Sequence, residues 1–136
     1  MPVEYLLDTS VYSQRLRPKP LPTVVQRWRN LGDGRLAISA ICEAELLFGL
    51  ERRQSDRLWQ EYERYLQDRL LCIPVDRLVA KAYATLRTQL EQAGTPRVDF
   101  DLVIAATGFA HNLKIATLNP KHFEGIPGLI VEDWML

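Results

Sequence analysis

An excess of either charge is missing from this chain: 17 Lys and Arg stand against 17 Asp and Glu, for a formal net charge of zero. That excludes a uniformly basic nucleic-acid-binding coat, so any polyanion has to be gripped by a few placed groups. Cysteine is scarce as well. Cys42 and Cys72 lie far apart and outside any C-x-x-C spacing, which argues against a disulfide scaffold or a zinc module and for two buried thiols in a reducing compartment. His111 and His122 lack neighbours at metal-binding spacing and read as surface or cap residues. Long apolar runs are absent too: the longest, Leu102 to Ala110, is interrupted by Thr107 and Gly108 and is roughly half the ~20 residues a bilayer requires. The start, Met1-Pro2-Val3-Glu4, has no basic segment followed by an apolar stretch, so no signal peptide is expected. The expectation is a cytoplasmic protein without membrane contact.

What is present is an alternation. With 136 residues, 47% of them hydrophobic, and no repeat or linker, the chain suits one domain over residues 1–136. Short β-prone runs alternate with longer segments of helical period, the pattern of an α/β domain with a mostly parallel sheet. The expected strands are Val3–Leu7, Leu36–Ser39, Leu71–Val75, Lys114–Thr117 and Leu129–Val131. None alternates cleanly between apolar and polar, as expected for strands covered on both faces. The expected helices are Thr23–Asn30, Ala40–Glu51, Asp56–Asp68, Asp76–Ala93 and Asp99–Asn112, with Ser55 and Asp76 as N-caps.

Three carboxylates look out of place in that frame. Asp8 follows the apolar run Tyr5-Leu6-Leu7, at the carboxyl end of the first strand, where ligands gather in parallel sheets. Its plainer role is an Asx turn or an N-cap for a short helix. Glu45 shares a helix face with Ile41, Cys42, Phe48 and Gly49, so its charge is buried or at a cleft edge and needs a cation or donor, an arginine being the plain alternative. Glu43 points elsewhere and reads as a solvated charge. Asp99 and Asp101 open the most apolar helix; one can cap it while the other projects into a cavity. Together, three carboxylates converging over the central strands would repel strongly unless they share a divalent cation. Hard oxygen ligands suit Mg²⁺ or Mn²⁺, and such a centre supports phosphodiester hydrolysis.

Leu7-Asp8-Thr9-Ser10, the segment Ser39 to Leu46 and the segment Asp99 to Ala106 resemble the three signature segments of PIN-domain ribonucleases, and most nearly the VapC toxins of toxin–antitoxin pairs. Ile115 to Phe123 and Val131-Glu132-Asp133-Trp134 resemble that family's last strand, turn and ending. The resemblance spans Leu6 to Trp134. It implies a three-layer α/β/α fold with a mostly parallel central sheet of four or five strands. It further implies that Asp8, Glu45 and Asp101 bind the metal and carry catalysis, with Ser10, Thr117, Asn119 and the ambiguous Asp99 in support. Two positions depart from the family pattern: Ser10 stands where Asn is usual, and Asn119 where many relatives place a fourth acid. One firmly held cation is therefore expected, with a second arriving alongside substrate. Also implied are an RNA substrate, a cognate antitoxin and a homodimer.

The acid-free stretch from Val11 to Asn30 carries Arg15, Arg17, Lys19, Arg27 and Arg29. Arg15, Arg17 and Lys19 are the candidates for holding RNA phosphates through counterion release. Arg52, Arg53 and Arg57 read as surface ion pairs. Trp28, Trp59, Tyr62 and Tyr65 could stack on bases, although the stripe Leu58, Tyr62, Tyr65, Leu66 suits packing better. Rival phosphate chemistries fit less well: Asp8-x-Ser10 is not the Asp-x-Asp of a haloacid-type phosphotransferase, the paired acids of a receiver domain are missing, and no nucleotide-binding glycine loop is present. The remaining alternative is a non-catalytic scaffold of the same fold that binds RNA or protein.

Overall fold

The computed structural model describes residues 2–136. Five strands, β1 (Tyr5–Leu7), β2 (Leu36–Ser39), β3 (Leu71–Ile73), β4 (Lys114–Thr117) and β5 (Val131–Asp133), form one sheet in the order β3-β2-β1-β4-β5. Every pairing is parallel. Successive strand residues face opposite layers: Tyr5 and Leu7 join one core, Leu6 the other. The first core packs under α1 (Thr9–Tyr12), α2 (Pro22–Leu31), α3 (Ala40–Arg53) and α4 (Asp56–Tyr65), and the second under α5 (Arg77–Gln92) and α6 (Phe100–His111). The result is the expected three-layer α/β/α arrangement.

Local chemistry accounts for the helix starts. Ser39, Ser55, Asp76 and Asp99 each accept a hydrogen bond from a first-turn backbone N–H, at 3.2, 3.3, 3.1 and 3.0 Å, satisfying donors the helix itself cannot. Helices α3 and α6 end on left-handed residues, Gln54 (φ 50°) and Asn112 (φ 55°). Gly108 is required by space: a Cβ there would lie 2.6 Å from the Ile115 side chain and 3.3 Å from the Leu113 carbonyl. This lets α6 lie close on β4.

Several expectations shift. Strand β5 begins at Val131, not Leu129, because the ladder pairs Ile115, Ala116 and Thr117 with Val131, Glu132 and Asp133. Helix α4 stops at Tyr65, short of the expected Asp68; Asp68 has φ 62° and closes a turn instead. Cys42 is buried but Cys72 is exposed on the edge strand β3, since no strand among the described residues pairs with that side of the sheet. Within the stripe on α4, Leu58, Tyr62 and Leu66 are buried, whereas Tyr65 is 39% exposed. No helix among the described residues is long and apolar enough to cross a membrane.

Candidate active site

The order β3-β2-β1-β4-β5 reverses direction between β1 and β4, and the crevice beyond their carboxyl ends is where open parallel sheets place ligands. Asp8 comes next after β1 and Thr117 ends β4. The Asp8 amide donates to the Ala116 carbonyl at 3.0 Å, extending the strand pairing by one residue and holding the two side chains opposite each other. Asp8 is 4% exposed. It does cap α1, since Oδ1 accepts from the Val11 amide at 3.1 Å.

Two hydroxyls complete its cage. Ser10 donates to Asp8 Oδ1 and Thr117 donates to Asp8 Oδ2, both at 2.6 Å. Each hydroxyl oxygen in turn receives a backbone N–H: Leu118 to Ser10 at 3.0 Å, Asn119 to Thr117 at 2.9 Å. With its acceptor side occupied, each hydroxyl has its proton left for the carboxylate. No cationic side chain pairs with Asp8 among the described residues. Burial pushes its carboxyl above the usual range, against the lowering effect of those hydrogen bonds.

Glu45 projects from α3 and accepts from the Thr9 hydroxyl at 2.6 Å; it too has no cationic partner, so the buried-arginine alternative is not what the structure contains. Asp101, in the first turn of α6, is half-buried. Its carboxyl is also raised, by burial first, then by the charges of Asp99 and Asp8, with His122 opposing. The two aspartates differ: Asp99 is exposed, caps α6 and pairs with Arg97 at 3.3 Å, whereas Asp101 is half-buried beside His122. The Cys42 thiol is pushed up by burial and feels Asp8, Glu45 and Glu43.

The structure thus gathers a field of carboxylate charge around the end of β1. Among the described residues, however, no three His, Cys, Asp or Glu side chains are close enough to enclose one ion. The donors are hard oxygens, and the most buried one lacks a counter-charge, which fits Mg²⁺. That ion demands only one or two direct carboxylates and keeps several waters.

The remaining candidates take separate places. His122 is exposed, but its Nδ1 lies 3.3 Å from Asp101 Oδ2, a contact no sequence spacing shows. Glu43 is not a solvated charge: it accepts from Tyr12 at 3.0 Å and from Tyr62. Asn119 is exposed beside Thr117. In the basic stretch, Arg15 stacks over Tyr65 at 4.7 Å, Lys19 is exposed and Arg17 shares a groove with Glu45. Arg27 is committed to the fold, bonding Glu132 and the carbonyls of Asp133 and Leu136.

A family model described as the PIN domain matches residues 5–129. The tRNA(fMet)-specific endonuclease VapC of Shigella flexneri is 31% identical over 133 residues, which cover 97% of this chain and 98% of that protein. Toxin FitB of Neisseria gonorrhoeae is 30% identical, covering 95% and 97%. Among solved structures, DNA-bound VapBC from Salmonella typhimurium superposes with a TM-score of 0.84 at 31% identity, covering 97% and 98%.

Proposed function

The chain belongs to the PIN-domain family, among its VapC ribonuclease toxins, and from that premise we propose that Asp8, Glu45 and Asp101 form the active site of a divalent-metal-dependent endoribonuclease. Asp8 carries the reading: a carboxylate 4% exposed, held by a backbone amide and two hydroxyls, with no cation to neutralise it among the described residues. A structural cap has no need of that burial. A group that must present two oriented oxygens to an ion does.

In this reading one or two of Asp8, Glu45 and Asp101 would hold Mg²⁺ or Mn²⁺ directly, the others reaching it through its waters. No three of these groups among the described residues are close enough to enclose it. When bound, the ion supplies charge neutralisation at the scissile phosphate and lowers the pKa of a coordinated water. Thr117 and Ser10 fix the direction of both Asp8 oxygens, and Thr9 holds one oxygen of Glu45. Asn119 brings no charge, so a second ion would depend on the oxygens of the substrate. Arg17 shares the groove of Glu45 and would attract the RNA backbone there. Arg15 lies over Tyr65 in a separate groove and, with the exposed Lys19, would act on RNA farther from the reacting centre. Asp99 supports from a distance, as the cap that sets the start of α6.

The partners follow from the same premise: a cytoplasmic RNA, a cognate antitoxin and a second copy of this chain. The homodimer is supported by the open edge of β3, where Leu71, Val75 and Leu78 are 56, 47 and 52% exposed. Incubating the purified chain with RNA and Mg²⁺ or Mn²⁺ tests the activity. Cleavage should stop with EDTA and fall about a thousandfold in Asp8→Asn. Undiminished cleavage in either case would overturn the metal-dependent site at Asp8, and no cleavage by the unsubstituted chain would leave the fold as a non-catalytic scaffold.

A further inference from the structure

A groove of about 230 Å³ opens beside the proposed site, between the 3-10 turn Ser13–Leu16 and helices α3 and α4. One end is Thr9 and Glu45. Leu46 and Leu50 lie in its floor, and Arg17 and Arg53 line its walls. Glu45, Gly49 and Arg53 are four residues apart along α3, so they form one ridge running from the carboxylate to the guanidinium. Eight residues of helix span about 12 Å, an interval of a few nucleotides at the roughly 3.4 Å per phosphate of a stacked strand.

Two independent observations single this groove out. The first is electrostatic: among the described residues neither Arg17 nor Arg53 forms an ion pair, so Arg53 is not the surface-paired charge its sequence neighbours suggest. The one acid in the lining, Glu45, is engaged by Thr9. The second is steric. Gly49 sits inside α3, where glycine costs about 1 kcal/mol relative to alanine, yet a Cβ there would meet nothing within 4 Å. No neighbour demands the glycine. Its missing side chain lowers the wall of the groove midway between Glu45 and Arg53.

We propose that this groove is a subsite for the RNA strand flanking the scissile bond, with Arg17 and Arg53 clamping a backbone phosphate and Gly49 keeping the path to Glu45 open. The inference rests on the ribonuclease reading and adds to it the route of the substrate. RNA is favoured over an acidic peptide because the groove is lined by Glu45, one of the proposed catalytic carboxylates. The chain that fills it therefore continues through the reacting centre.

The test is fluorescence anisotropy of a short single-stranded oligoribonucleotide on the full chain carrying Asp8→Asn, in EDTA, across a salt series. Arg53→Ala and Arg17→Ala should each weaken binding about tenfold, an amount a charge-assisted contact supplies. Each should also reduce the salt slope by about 0.7. Arg87→Ala, on α5, should change neither. Gly49→Ala should raise the melting temperature, whereas Gly49→Leu should fold and yet bind RNA at least about tenfold more weakly by filling the groove. Unchanged affinity and slope in Arg53→Ala, or normal binding in Gly49→Leu, overturns the clamp. So does an acidic peptide, rather than RNA, losing its affinity in Arg53→Ala. Cleavage by the unsubstituted chain is scored separately: normal cleavage with an unaffected Arg53→Ala removes only the clamp, and absent cleavage with an intact clamp removes only the ribonuclease reading.

Discussion

Asp8 is held in a state that costs stability when no ion is bound, since burying a carboxylate without a counter-charge is unfavourable even when its oxygens are hydrogen-bonded. Asparagine keeps the shape and the α1 cap but not the charge. In EDTA, Asp8→Asn should therefore melt at a higher temperature than the unsubstituted chain. Added Mg²⁺ should reverse the order, because binding to the native state alone contributes about 2.7 kcal/mol at a hundred times the Kd. Differential scanning calorimetry with and without Mg²⁺ checks both halves; a variant that melts lower in EDTA would mean that Asp8 is a structural cap. Thr117→Val is a separate test of the cage. It leaves Asp8 Oδ2 and the Asn119 amide unpaired, so it should cost about 1–3 kcal/mol of stability and about 10–100-fold in activity. Of these residues the sequence displayed the carboxylates, because an acid beside apolar neighbours is conspicuous. It did not display the contact of His122 with Asp101, which depends on where the turn after β4 lands on α6.

Helix α3 was legible nearly to its ends, from its apolar period and the Ser39 cap, yet its role as a junction was not. A helical wheel sends Glu43 away from Glu45 but says nothing of what the neighbouring elements put there. Tyr12 from α1 and Tyr62 from α4 both donate to the Glu43 carboxylate, tying three helices together. Burial comes first, with the Glu43 charge and hydrogen bond adding to it, in holding both phenols above their ordinary pKa. An acid whose native pKa is raised contributes stability that is whole below the unfolded value, near 10. That contribution is lost progressively as the pH climbs above it. Alkaline unfolding should therefore be steep, and Tyr62→Phe should flatten it above pH 10 while costing about 1 kcal/mol at neutral pH through the lost hydrogen bond. A pH series of urea melts reads both effects. The packing of α6 on β4 can be tested in the same way. The Cβ of Gly108→Ala would press on Ile115 and on the Leu113 carbonyl, so the variant should lose about 1–3 kcal/mol. The mid-helix Gly108 was visible in the sequence; the partner that requires it was not.

The strand order, too, had to come from the folded chain, since five β-prone runs do not say which two stand at the edges. The two edges turn out unequal. β5 is covered by the final turn: Trp134 is fully buried against Tyr5, and Arg27 bonds Glu132 and the last carbonyls. β3 is open, with Leu71, Cys72, Val75 and Leu78 exposed along and just beyond it. An uncovered apolar edge invites association, and under the proposed dimer that is where a second copy docks. A stable pairing should bury about 1,200–2,000 Å² in total, and sedimentation velocity should give twice the 15.7 kDa chain mass. Leu78→Glu separates association from folding. The side chain is 52% exposed, so the core loses little. It also lies in the first turn of α5, where a negative charge is favourable to the helix. The variant should sediment as a monomer and still melt cooperatively. A monomeric unsubstituted chain, or a Leu78→Glu chain that remains dimeric, would move the contact away from β3 and leave that edge to a different partner.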